Sequence, residues 1–102
     1  MKRRFNVNYW VSDTGIVTNN KGQVIKPWIH TGNNGVKYWR VSLYSKGVKC
    51  NYRVNRLVAM VFIPNPLNKP EVDHINRNSL DNRKENLQWV TSKENNYRNK
   101  AA

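Results

Sequence analysis

Turn residues recur at short intervals through the first 54 residues, and this spacing constrains the fold more than any other feature. The turn-rich segments lie at residues 12–15, 19–22, 31–35 and 45–47. Glycine and asparagine in such segments adopt the positive φ angles that tight hairpins need. The runs between them are rich in Val, Ile, Tyr and Trp, which favour strands. The spacing therefore predicts an N-terminal antiparallel β-sheet.

After residue 54 the hydrophobic spacing becomes helical. Apolar residues recur at the positions expected for one face of a helix: Leu57, Val58, Val61 and Phe62. Asn55 is the predicted N-cap of this helix, since an asparagine side chain accepts bonds from the first free N–H groups. Pro64 and Pro66 end the helix because proline cannot continue one.

Two short strands and a final helix are predicted beyond the prolines. Residues 72–75 and 87–90 are β-prone, and a polar loop joins them over residues 76–85. Thr91 and Glu94 form a capping-box pattern that begins a last helix of roughly two turns. The predicted fold class is α+β. We expect a β-rich region at residues 1–54 and a helical and ββα region at 55–102, packed as one compact unit.

The charge of the chain is strongly one-sided. There are 18 Lys and Arg residues against 6 Asp and Glu, a net charge of +12. Asp13 apart, every acidic residue lies between positions 71 and 94. Such an excess of positive charge indicates a polyanionic partner, with nucleic acid favoured over simple solubility. The clustered acids predict one site that presents carboxylates beside a cationic surface.

Several other classes of protein are disfavoured. Cys50 is the lone cysteine, predicted to be buried or half-buried, so disulfides and paired-thiol zinc sites are not expected. The basic start of the chain is followed by no apolar run, so no signal peptide or membrane segment is expected. We therefore expect an intracellular protein.

Residues 72–95 carry a specific motif. It comprises Val72-Asp73-His74-Ile75-Asn76-Arg77-Asn78, then Asp81-Asn82-Arg83, then Asn86-Leu87-Gln88-Trp89-Val90-Thr91, and finally Asn95. This motif strongly resembles HNH nucleases of the phage and intron homing type. Residues 55–70 look like the segment that precedes the site in this family, and residues 9–17 resemble the short N-terminal motif often fused to it.

The resemblance implies a ββα core that holds one divalent metal ion, Mg²⁺ or Mn²⁺, and not zinc. Asp73 and Asn95 are the implied ligands, because carboxylate and amide oxygens suit a hard cation. His74 is the implied general base, since a histidine with an ordinary pKa of about 6.5 accepts a proton at pH 7. Asn86 is expected to bond backbone groups of the loop and to fix the His74 ring.

The implied substrate is double-stranded DNA, hydrolysed at its phosphodiester bonds. Strand alternation between residues 37 and 56 predicts an aromatic face packed inward and a cationic face turned outward. The predicted DNA contacts are Lys37, Arg40, Lys46, Lys49, Arg53, Arg56, Arg77, Arg83 and Lys84. The four tryptophans are expected in the core, because a small domain needs their buried area. His30 is expected to be a structural or DNA-facing side chain.

This chain departs from the family pattern in three places. Asn55 stands where relatives often have a histidine, and Asn76-Arg77-Asn78 replaces a common Asp-Gly-Asn. The sequence ends after the last predicted helix, where many relatives continue into a DNA-reading region. We therefore expect weak sequence discrimination, or a separate partner that supplies it.

Two other functions fit the same sequence. A non-catalytic DNA-binding module could retain the scaffold, and a basic RNA-binding protein would also carry this charge. The sequence leaves open a monomer or a larger assembly, and nicking or double-strand cleavage. It favours a phage-encoded protein acting in the bacterial cytoplasm.

Overall fold

The first sheet of the computed structural model, which describes residues 1–95, has three antiparallel strands in the order β1-β2-β3. These are β1 (Lys2–Arg4), β2 (Tyr9–Ser12) and β3 (Val17–Asn19). In β2 the residues alternate between buried and half-buried positions, as expected for a sheet with one face on the core. Val11 and Val17 are cross-strand partners and are almost fully buried.

The second sheet has the order β4-β5-β6 and is also antiparallel. Its strands are β4 (Trp28–Thr31), β5 (Lys37–Ser45) and β6 (Val48–Arg53). Lys46 and Gly47 form the β5–β6 turn with φ angles of 51° and 78°. A hydrogen bond of 3.0 Å from the Tyr44 N–H to the Tyr9 hydroxyl joins this sheet to the first.

Helix α1 (Val54–Phe62) follows β6 without a loop. It buries residues spaced three or four apart, which places its apolar face on the core: Val54, Leu57, Val58 and Phe62. The predicted cap is wrong, because Arg53 is the N-cap and makes no side-chain capping bond. Asn55 lies inside the first turn, where it is 4% exposed and its Oδ1 accepts no hydrogen bond from the described residues.

The third sheet pairs β7 (Glu71–His74) with β8 (Leu87–Val90). A 3₁₀ turn, Lys84–Asn86, leads into β8. Residues 92–95 are helical, and the predicted capping box is present. The Thr91 N–H donates to Glu94 Oε1 over 2.9 Å, and the Glu94 N–H donates to Thr91 Oγ1 over 3.1 Å.

The α+β fold class is confirmed, although the N-terminal β region forms two sheets and not one. Residues 23–25 are not a strand, since Val24 makes only a single bridge to Thr18. The predictions for Cys50 and Trp28 are wrong. Both side chains are exposed, and they lie on β6 and β4, the two edge strands of the second sheet. The other three tryptophans are half-buried.

The division at residue 54 stays a prediction, and contacts cross it. The Lys84 N–H donates to the Asp13 carbonyl over 2.8 Å. Gly15, with a φ of 98°, lies so close to the loop between β7 and β8 that an added Cβ would be 3.2 Å from the Asn82 Cβ. The β2–β3 turn therefore packs against this loop, which we call the site loop.

Candidate active site

His74 and Asp73 lie together at the end of β7, and both are buried. Successive residues of a strand point to opposite faces, so the two side chains would diverge in the middle of a sheet. Here the strand ends at His74 and a turn follows. Both residues consequently line one cavity of about 430 Å³, which Asn95 also lines.

The His74 ring is held by the side chain of Asn82. Nε2 of His74 and Oδ1 of Asn82 are 2.9 Å apart, and both residues are buried. An amide oxygen only accepts, so this bond requires the proton on Nε2. The Tyr38 ring lies on another side of the imidazole, with 6.3 Å between ring centroids.

The Asp73 carboxylate is oriented from the neighbouring strand. Asp73 and Gln88 are direct cross-strand partners, and Nε2 of Gln88 donates to Oδ2 of Asp73 over 2.9 Å. Cross-strand side chains lie on the same face and within reach of each other. Gln88 therefore fixes the rotation of the carboxylate that faces the cavity.

Asn95 is oriented by Glu71. Nδ2 of Asn95 donates to Oε1 of Glu71 over 2.7 Å, and the Ser92 hydroxyl donates to the other oxygen. The bond from Ser92, and then that from Asn95, holds the pKa of Glu71 below its usual value. Because the amide nitrogen is engaged, the oxygen of Asn95 is the atom left to meet a cation.

Asn86 braces the loop between β7 and β8. Its Oδ1 accepts from the Asn76 N–H over 2.9 Å, while its Nδ2 donates to Asn76 Oδ1 and to the Asp81 carbonyl, each over 2.9 Å. The backbone bonds expected of Asn86 are thus present. The bond to the His74 ring is made by Asn82 instead, because the Asn86 amide is already used by the loop.

A second cavity of about 540 Å³ adjoins the first and carries positive charge. The two share Asn34, Tyr38, Val72 and Asn95 among their lining residues. Arg53 and Arg56 line the second cavity, and Arg77 lines the first. The Arg53 guanidinium stacks on Tyr38, 4.2 Å from the ring centroid. We call the two cavities together the groove.

The other predicted DNA contacts lie outside the lining of the groove: Lys37, Arg40, Lys46, Lys49, Arg83 and Lys84. Arg40 is the cross-strand partner of Arg53, and Lys46 occupies the β5–β6 turn. Arg83 is bound to Asp81 at 2.8 Å, and that guanidinium holds the pKa of Asp81 well below its usual range. Lys84 lies over the Phe62 ring of α1.

The predicted separation of aromatic and cationic faces is wrong in part. Tyr38, Arg40 and Tyr44 share a strand face because even numbers of positions separate them in β5. Trp39 and Tyr52 pack on the core, as predicted. Tyr44 is 54% exposed. His30 is the cross-strand partner of Tyr38, is exposed, and lines neither cavity.

The side chains around the first cavity fit a hard divalent cation. Asp73 brings a carboxylate and Asn95 an amide oxygen, and such oxygen ligands suit magnesium, which keeps water or substrate oxygens at its other positions. Within residues 1–95 no three His, Cys, Asp or Glu side chains cluster as a metal site. A site built here depends on the amide of Asn95.

Sequence reasoning missed the residues that hold the others in place. Asn82, Gln88 and Glu71 are the partners of His74, Asp73 and Asn95 in turn. The only signal for Gln88 was its register opposite Asp73, once the two strands are paired. Asn82 stands within the motif itself, but nothing local shows that its amide meets the imidazole.

Comparisons with known proteins find HNH endonucleases similar to this chain. Residues 52–97 match the family model of the HNH endonucleases. An uncharacterized HNH endonuclease L247 of Acanthamoeba polyphaga mimivirus is 41% identical over 90 residues, which is 85% of this chain and 22% of that protein. The putative HNH homing endonuclease YosQ, derived from the SPbeta prophage of Bacillus subtilis, is 34% identical over 85% of this chain and 49% of its own length.

A solved structure is also similar. The HNH homing endonuclease I-HmuI, described in terms of its DNA binding and cleavage, matches with a TM-score of 0.79 and 33% sequence identity. The match covers 95% of this chain and 54% of that one. This chain thus spans about a fifth to a half of the length of the relatives it matches.

The fold and the family match point to the same kind of domain. Residues 52–97 carry an HNH endonuclease domain, and the resemblance inferred from the motif is confirmed. The matched proteins are described as HNH endonucleases, which is the class of enzyme that the sequence predicted. In the described part of the chain, no helix is long and apolar enough to cross a membrane.

Proposed function

We propose that this protein hydrolyses phosphodiester bonds of double-stranded DNA with one bound Mg²⁺ or Mn²⁺ ion. The observation that carries the proposal is the convergence of Asp73, His74 and Asn95 on one cavity. The likeness to I-HmuI, whose description names DNA binding and cleavage, supports DNA as the substrate. The net charge of +12 supports a nucleic-acid substrate but does not distinguish DNA from RNA.

The side chains divide the reaction among them. Nδ1 of His74 accepts the proton of the attacking water, because Nε2 is engaged with Asn82. Asp73 and Asn95 hold the cation, and Gln88 and Glu71 fix the rotation of those two ligands. When bound, the ion neutralises charge on the phosphate and on the leaving oxygen.

The groove is the proposed path of the DNA backbone. Arg53, Arg56 and Arg77 line it, and Asn34 and Tyr38 lie where its two cavities meet. Arginine side chains bind the phosphate oxygens of DNA whatever the base sequence. The predicted contacts outside the groove would extend this surface along β5, the β5–β6 turn, β6 and the loop between β7 and β8.

The matched relatives include proteins of a virus and of a prophage. The prophage source of one of them supports a phage-encoded nuclease that acts inside the bacterial cell. A monomer with one such site would cut one strand, since a single histidine and cation serve one phosphate at a time. Paired cleavage would require two copies on the same duplex.

A plasmid-nicking assay tests this function. The wild-type protein should convert supercoiled plasmid to the nicked form with Mg²⁺ or Mn²⁺ and not with EDTA. His74→Ala should reduce the rate by about 10²–10⁴-fold while DNA binding persists. His30→Ala is the matched control, because this exposed histidine lines neither cavity.

Three outcomes would contradict the proposal. Cleavage by His74→Ala at the wild-type rate would show that His74 is not the general base. Binding to plasmid without cleavage at any metal concentration would indicate a non-catalytic DNA-binding module. Tighter binding to structured RNA than to duplex DNA, measured by competition, would indicate an RNA-binding protein.

A further inference from the structure

We propose that Asn82 is the positioning residue of the general base and that the turn around Gly15 holds Asn82 in place. The inference rests on the proposed function for its kinetic consequence. Its structural part concerns a hydrogen bond that can be tested without any cleavage assay. It assigns the β2–β3 hairpin a supporting role in catalysis.

The first step is the bond itself. Oδ1 of Asn82 lies 2.9 Å from Nε2 of His74, and the exposed fractions of the two residues are 6% and 7%. Water therefore has little access to compete for the imidazole N–H. Since the amide oxygen can only accept, it selects the tautomer with its proton on Nε2. Nδ1 is then the nitrogen able to take a proton.

The second step is the packing behind Asn82. Gly15 has a φ of 98°, and a Cβ there would be 3.2 Å from both the Asn82 Cβ and the Val54 Cγ1. This turn is tied to the site loop by the bond from the Lys84 N–H to the Asp13 carbonyl. The β2–β3 turn and the start of α1 therefore form the wall against which Asn82 rests.

The third step is the division of labour with Asn86. Asn86 bonds Asn76 and the Asp81 carbonyl, and so shapes the loop that carries Asn82. Asn82 alone of the two is bonded to the imidazole. Loss of Asn86 should therefore disturb folding of the loop, whereas loss of the Asn82 acceptor should affect the imidazole itself.

Two substitutions separate an acceptor from a space-filling side chain. Asn82→Leu keeps the approximate shape and removes the acceptor, whereas Asn82→Asp keeps an oxygen that can accept from Nε2. We expect Asn82→Leu to lower the single-turnover cleavage rate by about 10²-fold with DNA affinity unchanged, the cost of a misplaced reacting group. Asn82→Asp should stay within tenfold of wild type. Packing alone would give the reverse order, since leucine is easier to bury than a carboxylate.

Nitrogen-15 NMR of the histidine rings in the full chain gives a readout independent of cleavage. His30→Gln assigns the two rings, because the sequence has 2 histidines. We expect a slowly exchanging Nε2–H signal for His74 in wild type and Asn82→Asp, and its loss in Asn82→Leu. A protected signal in Asn82→Leu, or wild-type cleavage by that variant, would overturn the proposal.

Gly15→Ala tests the packing of the β2–β3 turn against Asn82 while Asn82 itself stays unchanged. This variant also keeps the proposal testable if Asn82→Leu fails to fold. Gly22→Ala is the matched control, since Gly22 has a similar φ of 77° but nothing within 4 Å of the added Cβ. Gly15→Ala should slow cleavage and speed exchange of the ring N–H more than Gly22→Ala does. Equal behaviour of the two glycine variants would contradict the supporting role. If wild type cleaves nothing, the proposed function fails, and the NMR signal still decides the role of Asn82.

Discussion

Nδ2 of Asn95 donates to Oε1 of Glu71 across 2.7 Å, so a carboxylate that faces the groove orients the amide of a proposed metal ligand. Glu71 is in turn held by the Ser92 hydroxyl, which lies in the same helical turn as Asn95. The strand and the helix of the ββα core are thereby joined at the site. The geometry of Asn95 depends on a residue that is not itself a proposed ligand.

Glu71→Ala should weaken Mn²⁺ binding by about 10–100-fold, the usual effect of removing a group that orients a ligand. The amide of Asn95 would then rotate without a partner on its nitrogen. Calorimetric titration of the full chain with Mn²⁺ measures this. Glu85→Ala is the control, because it removes the same charge from the 3₁₀ turn. Equal losses in both variants would show that the effect is one of net charge.

Asn86→Ala should lower the free energy of unfolding by about 1–3 kcal/mol, because it leaves buried polar groups of the loop unsatisfied. Urea unfolding followed by tryptophan fluorescence gives the value. Asn78→Ala offers a comparison in the same loop, where the Asn78 side chain accepts from the Leu80 N–H at an exposed position. A smaller loss in Asn86→Ala than in Asn78→Ala would argue against the bracing role.

Arg53→Ala should weaken DNA binding uniformly across sequences and lower the salt slope by about one, as expected for one lost phosphate contact. Arg53 lines the groove and is held over Tyr38, which limits the entropy lost on binding. Binding isotherms at several salt concentrations measure the slope. Lys21→Ala removes an equal charge from the turn after β3, away from the groove lining. An unchanged slope for Arg53→Ala would place the backbone elsewhere.

Asp81 should make the fold sensitive to acid. Its hydrogen bonds with Arg83 lower its pKa from an ordinary value of 3.8, so its stabilising effect is complete above that value. The effect is lost as the pH falls below 3.8 toward the lowered pKa of the folded state. The difference in Tm between wild type and Asp81→Asn should therefore shrink between pH 5 and pH 2 (about the range in which such carboxylates protonate).

Arg83→Ala provides the control for that titration. It removes the largest cause of the shift, so the Tm of this variant should depend less on pH over the same range. A Tm difference between wild type and Asp81→Asn that stays constant from pH 5 to pH 2 would contradict the pairing.

Local rules predicted much of the C-terminal region. Strand β8 has the bounds that the pattern predicted, and the bonds between Thr91 and Glu94 follow from their spacing alone. Proline ends α1 where expected, because its restriction on the backbone does not depend on tertiary context. These features concern residues close in sequence.

The errors concern residues whose surroundings are set by distant parts of the chain. Cys50 and Trp28 are exposed because their strands are the edges of a sheet, and strand order is not visible in local spacing. Asn55 was misplaced because β6 runs directly into α1. Asn82 was missed as a partner of His74 because eight residues and a folded loop separate them. The predicted helix beyond Asn95 lies outside the described residues.

The contact of Gly15 with Asn82 bears on how nucleases of this kind can be recombined. A graft of only the C-terminal half of the chain onto a foreign targeting module would omit the β2–β3 hairpin, which packs against Asn82. Such a chimera should keep its proposed ion ligands yet turn over slowly. Exchange of segments between relatives is therefore expected to preserve activity only when the β2–β3 hairpin is transferred together with the motif.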